Sequence, residues 1–194
     1  QPGGPAAAGA NFSPQPVVEI RDIYGNRTGD AAPITLSVVG GTGGTLNATT
    51  NPLTSTSGQA AFSGVNYTKV ETIQLRASGL SFTVDSNSVA IDTPLAASTL
   101  TVSGITDPVV AGTASNVTVT AKDIHGNTAT GYLGTITFTS SDAQKIVPAN
   151  YTFLAGDSGV KTFTSGVTMK TAGEQTVTAT DTVTATITGT QTAI

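Results

Sequence analysis

The 194-residue chain has no cysteine, no tryptophan, a single histidine and a single methionine, and only 10% of its positions are charged. Each scarcity removes a class of chemistry. Without cysteine there is no disulfide framework, no thiolate nucleophile and no zinc site built on sulfur. With one histidine, nucleophilic catalysis would rest on His125 and one of sixteen Ser residues, none of them in an elbow motif that would single it out. Glu19, Glu71 and Glu174 stand isolated in the sequence, and the Asp residues fall near turns, so paired carboxylates are not indicated. Eight Lys plus Arg spread singly against twelve acids leave a net charge of -4 and no basic stripe to meet phosphates. No apolar run approaches the roughly 18 to 20 residues that span a bilayer, and no charged-then-apolar leader opens the chain. The expectations are no enzyme activity, no cofactor or metal, no nucleic-acid partner and no membrane insertion.

What is abundant is hydroxyl. Thr and Ser together exceed a quarter of the chain, and the branched Cβ of Thr packs well on a pleated surface. Thr118, Thr120, Thr135, Thr137, Thr139, Thr176, Thr178, Thr184, Thr186 and Thr188 interleave with apolar residues at period two, and no stretch shows helical periodicity over three turns. Turn chemistry separates the runs at Gly40 to Gly44, Asn51-Pro52, Gly126-Asn127, Gly156 to Gly159 and Ala172-Gly173. Short strands broken by turns every eight to twelve residues predict an all-β sandwich.

The chain also repeats itself at about 101 residues. DIYGN at Asp22 to Asn26 returns as DIHGN at Asp123 to Asn127, each after an alternating run that ends in a base. Ser57-Gly58 and Ser158-Gly159 keep the same spacing and lead to Phe62 and Phe163. The reading is two tandem immunoglobulin-like antiparallel β-sandwich domains, residues 1–92 and 98–194, with a short linker at 93–97 stiffened by Pro94. The second repeat opens with a strand-like Ser98 to Ile105 whose counterpart would fall mostly before Gln1, so the first domain is expected to lack its opening strand. Residues 1–13, rich in Gly, Ala and Pro, read as a flexible lead or a contact with a neighbour.

The segments QPVVEIRDIYGN (Gln15 to Asn26) and NVTVTAKDIHGN (Asn116 to Asn127), with Thr128 to Tyr132 and Gly134 to Asp142 after the second, resemble the bacterial immunoglobulin-like (Big-type) repeats of large secreted adhesins and cell-surface proteins. The resemblance covers nearly the whole chain. It differs from antibody-type domains in lacking the paired Cys and core Trp. It implies an extracellular, cell-surface location and a structural role as spacer, stalk or filament. Partners would be neighbouring domains or further copies, and the missing strand could be supplied between subunits. The alternative is an adhesin segment that binds a host or surface ligand through its loops, with Gly40 to Gly44 the one modest insertion.

The DIYGN and DIHGN segments read as Asp-capped turns, with His125 at the place of Tyr24. Asp85, Asp92 and Asp107 could offer oxygen ligands to calcium near the joint, although no dense Asp run accompanies them. Phe62, Phe82, Phe138 and Phe163 fall in strand runs and are expected in cores, not on a carbohydrate platform. Lys122 stands beside a turn and no Asn follows Asn150, so the second domain has no isopeptide partner set. Six N-x-Ser/Thr sequons make Asn11, Asn26, Asn47, Asn66, Asn116 and Asn150 the candidate glycosylation positions.

Overall fold

Thr at every second position of residues 135–139 and 176–180 places hydroxyls on one face of each strand and apolar side chains on the other. In the computed structural model, which describes residues 6–194, the apolar faces meet in two separate cores. One belongs to a unit spanning Gln1–Pro94 and the other to a unit spanning Leu95–Ile194.

The first unit contains β1 (Ala6–Ala7), β2 (Val17–Glu19), β3 (Pro33–Val39), β4 (Leu46–Asn47), β5 (Leu53–Thr54), β6 (Gln59–Ala61), β7 (Asn66–Tyr67), β8 (Glu71–Gly79), β9 (Phe82–Asp85) and β10 (Val89–Thr93). The second contains β11 (Thr99–Ser103), β12 (Ala114–Lys122), β13 (Thr135–Ser140), β14 (Tyr151–Thr152), β15 (Val160–Thr168), β16 (Val177–Asp181) and β17 (Thr188–Gln191). A single 3-10 turn at Ala155–Asp157 is the one helical element among the described residues.

The second unit is a two-sheet immunoglobulin-like sandwich. One sheet runs β11-β12-β15 and the other β14-β13-β16-β17, all antiparallel. Val117, Val119, Ala121, Ile136, Phe153, Val177 and Ala179 fill the space between them, and every second residue of β12 and β16 is buried. On the outer faces the threonines pair across strands: Thr118 with Thr162, Thr135 with Thr152, Thr178 with Thr190, and Thr180 with Thr188, at 2.8–2.9 Å. Such cross-strand hydroxyl pairs support sheet register without charge.

The first unit repeats this plan, and among its described residues no strand takes the place beside β2 that β11 takes beside β12. Its larger sheet runs β1-β10-β8-β3-β5 with β9 also on β8, while β2 pairs with β6 alone among the described residues. The correspondence reaches individual hydrogen bonds at the spacing of 101. Ile20 N–H donates to Gly58 and Thr28 N–H to Ile20; Ala121 N–H donates to Gly159 and Ala129 N–H to Ala121. Gly58 and Gly159 both take positive φ, +71° and +76°, and a Cβ there would meet the carbonyl oxygens of Thr28 and Ala129 at 2.2 and 2.5 Å. Only glycine meets both demands.

Three expectations are corrected. Residues 6–13 are not a loose lead, because Ala8 and Phe12 are buried in the first core and Gln15 fastens the segment to Phe12 and Val65; residues 1–5 lie outside the described part. Thr184 and Thr186 belong to a turn and not to a strand, since the Asp181 carboxylate captures the N–H groups of Val183 and Thr184 and bends the chain. Phe82 is 77% exposed instead of buried, for a reason that lies in its surroundings.

Candidate functional site

The two DI-x-GN segments form the same turn. Asp22 Oδ1 accepts from the backbone N–H groups of Tyr24 and Asn26 at 2.9 Å, and Asp123 Oδ1 accepts from those of His125 and Asn127 at 2.9 Å. The second carboxylate oxygen takes the Asn26 or Asn127 amide. At Asp22 these bonds lower the carboxyl pKa, the Asn26 side chain contributing most. At Asp123 burial pushes the other way, and the bonds from Asn127, Leu95 and His125 together still hold it below its ordinary value. The imidazole-bearing His125 sits exposed at the tip.

The units differ in what lies over this turn. In the second, Leu95 N–H donates to Asp123 Oδ2 at 3.1 Å and Ser98 N–H donates to the Lys122 carbonyl, leading the chain directly into β11. β11 then runs antiparallel to β12, with Leu100 opposite Ala121 and Val102 opposite Val119. Both apolar side chains are buried, and the Gln191 side chain clasps the N–H and carbonyl of Ile105 at the far end. β11 lies so close to β17 that a Cβ on Gly189 would sit 2.0 Å from the Leu100 carbonyl oxygen.

In the first unit the equivalent place is a groove. Two adjoining depressions of about 320 and 400 Å³ run along β2, bounded by Val18, Glu19 and Arg21 on one side and by Val84 on β9 on the other. Ile34 and Ala77 form part of the floor. Val18 and Ile20 are only half-buried where Val119 and Ala121 are fully buried. Phe82 and Val84, at 77% and 61% exposure, stand along the opposite lip. Among the described residues no strand lies over either side chain. The charges around the groove are matched already: Arg21 pairs with Glu19, and Arg76 pairs with Asp85 through two bonds of 2.7 and 2.8 Å.

No protein-family model matches this chain, and none of the curated proteins does. Solved structures with some likeness include FdeC, an Escherichia coli adhesin, at 20% identity over 97% of this chain and 60% of that one, with a TM-score of 0.39. The Yersinia pseudotuberculosis adhesin InvE is 18% identical over 91% of this chain and 52% of its own length, with a TM-score of 0.37. A Bacteroides uniformis β-glucuronidase is 10% identical over 86% of this chain and 23% of its own, with a TM-score of 0.38. The chain thus spans less than two thirds of each. These likenesses are slight, and the fold rests on the strand order of the sheets.

The remaining sequence candidates are scattered. Asp85 is committed to Arg76, and among the described residues no three of His, Asp and Glu converge as a metal site would require. Glu71, isolated in sequence, anchors the Gly40 to Gly44 loop: its carboxylate accepts from the Thr42 N–H and hydroxyl and from the Tyr67 hydroxyl, and Tyr67 in turn accepts the Gly44 N–H. Chiefly through the Thr42 hydroxyl and Tyr67, this holds Glu71 down at about 2, while burial and Glu71 raise Tyr67 to about 12. Asp142 plays the corresponding part in the second unit, accepting from the N–H groups of Gln144, Lys170 and Thr171 and from the Thr171 hydroxyl. Those bonds, the Lys170 N–H foremost, hold its carboxyl far below the ordinary range. Three sequons meet in one ladder, with Asn47 donating to Asn66 and Asn66 to Asn11. The Nδ2 groups of Asn26, Asn47 and Asn66 are engaged as donors, whereas the bonds at Asn11 and Asn116 use Oδ1, and Asn150 is exposed.

Proposed function

We propose that the chain is a non-enzymatic structural module of an extracellular surface protein, stalk or filament, in which the first unit is completed by a strand added from another subunit. The observation that supports this is the open β2 edge, grooved and apolar in one unit where the other seats β11. An uncovered strand edge beside exposed Phe82 and Val84 invites pairing with a further strand, and burying it supplies both backbone bonds and apolar area. The rest of the molecule suits a load-carrying role. Most of its carboxylates cap turns, anchor loops or form ion pairs, and among the described residues every buried side-chain polar atom has a partner. Threonine ladders on the outer faces hydrate the sheets without strong fields.

Immunogold labelling of whole cells with an antibody against the second unit tests the location and role. Gold along the outer surface or on appendages is the expected result. Gold confined to the cell interior would sink this reading.

A further inference from the structure

Resting on the extracellular location given above and on nothing about strand addition, we propose that Asn150 carries an N-linked glycan, while the other sequon asparagines serve the fold. A sequon works through a free amide nitrogen and a hydroxyl two residues on, both open to a transferase. Asn150-Tyr151-Thr152 presents them through its central residue. The Tyr151 ring packs edge-on against Phe153 and Phe163, at centroid distances of 5.7 and 5.3 Å, and its hydroxyl donates to Asp157 Oδ2 at 2.8 Å. With Tyr151 turned inward, strand alternation turns Asn150 and Thr152 outward, and both are exposed. The Asn150 amide has no partner among the described residues, and the Thr152 hydroxyl meets that of Thr135 at 2.8 Å.

The other five sequon asparagines are held. Asn26, Asn47 and Asn66 donate their Nδ2 groups to Asp22, Asn66 and Asn11. Asn116 Oδ1 accepts the Ser165 N–H at 2.9 Å where β12 is bulged against β15, and Asn11 Oδ1 accepts from Asn66 beside the buried Phe12. Turning any of these amides toward a transferase breaks a bond, and Asn150 has none to break. The surroundings also suit a neutral sugar. The β13–β14 register, Thr135 opposite Thr152 and Ile136 opposite Tyr151, runs on to set Asn150 beside Thr137. Thr137 stands opposite Thr180, and Thr180 opposite Thr188, so the glycan would leave from one end of a hydroxyl row that crosses the sheet. Thr139, Thr178 and Thr190 form the next row, and neither row holds a charge. Hydroxyls donate and accept, as those of a sugar do.

The transfer involves no oxidation or reduction. The Asn150 nitrogen takes C1 of a sugar activated as a lipid-linked glycosyl diphosphate. A bond from Nδ2 to C1 replaces the bond from C1 to the diphosphate oxygen, the lipid diphosphate leaves, and one amide proton passes to a base of the transferase.

The test uses the full chain recovered from the surface of the cells that make it, with intact and peptide masses read by mass spectrometry. Expected is a mass above that of the bare chain by whole sugar residues, placed on the peptide that holds Asn150. Thr152→Val, which removes the sequon hydroxyl and leaves Asn150 in place, should abolish the addition, and Thr152→Ser should restore it. Asn66→Gln should leave the sugar unchanged and lower the first unit's Tm by a few degrees, since the ladder loses its middle member. A bare Asn150 in chain recovered from the cell surface overturns the proposal, whether or not another sequon carries sugar. So does sugar that survives Thr152→Val, as attachment to the outer threonines would. Immunogold label inside the cell sinks the extracellular reading, whereas a bare chain outside it sinks this inference alone.

Discussion

Asp22 and Asp123 hold turns by accepting the same backbone N–H bonds at the same 2.9 Å length, yet Asp123 is 2% exposed and Asp22 lies open to water. The turn itself is local chemistry, set by an Asp acceptor, a glycine of positive φ and an Asn amide. Burial is conferred from outside, by the segment from Leu95 into β11. The same contrast separates Val18 from Val119 and Ile20 from Ala121. Among the described residues the turn and the strands around it share one bonding pattern in both units, and only the second carries a covering strand over them.

That comparison can be broken from the second unit's side. Replacing Leu100→Asp together with Val102→Asp places two charges where buried side chains were, and should cost on the order of 4 kcal/mol or more. Chemical denaturation should then show the second unit unfolding well before the first, and hydrogen exchange should find β12 as open as β2. Single truncations sharpen it. Val119→Ala should cost about 2 kcal/mol and Val18→Ala well under about 1 kcal/mol, since only the first leaves a closed cavity. The capping acids should follow the same order: Asp123→Ala, which strands buried N–H groups, should destabilise by about 2 kcal/mol, and Asp22→Ala by about 0.5–1 kcal/mol because water replaces the lost acceptor.

The smallest effect is titrimetric. Glu71 is held at about 2 against an ordinary 4.5, so its folded form is the more acidic. Its contribution to the first unit's stability is complete above about pH 4.5 and is lost as pH falls toward 2. Glu71→Gln should lower the first unit's Tm slightly at neutral pH and remove part of its decline on acidification. Added salt should shrink the difference, as the group is largely solvated. A wild-type Tm flat from pH 5 to about 2.5 would contradict this assignment.

Alternation makes the strands readable in the sequence itself, and the paired DIYGN and DIHGN segments announce both the turn and the register between units. What sequence could not show were acceptors reached across long separations. Asp142 meets Lys170 and Thr171, Gln191 meets Ile105, and Tyr132 meets Asp181, each pair brought together only by sheet packing. Nothing local to Glu71 announces Thr42. Phe82 differs for another reason: its strand context is ordinary, and among the described residues nothing beyond its own hairpin covers it. The turn at Thr184 to Ile187 was hidden because Asp181 overrides an alternating pattern that would otherwise continue β16.

The parallel pairing of β1 with β10 has a mechanical side. Ala6 lies beside Ile91 and Ala7 beside Thr93, and the Ala8 N–H adds a bond to the Thr93 carbonyl. Tension drawn through this unit from its first described residues to Thr93 would pull two co-directional strands lengthwise in opposite senses. Their bonds would then be loaded in shear, together, instead of being peeled one at a time.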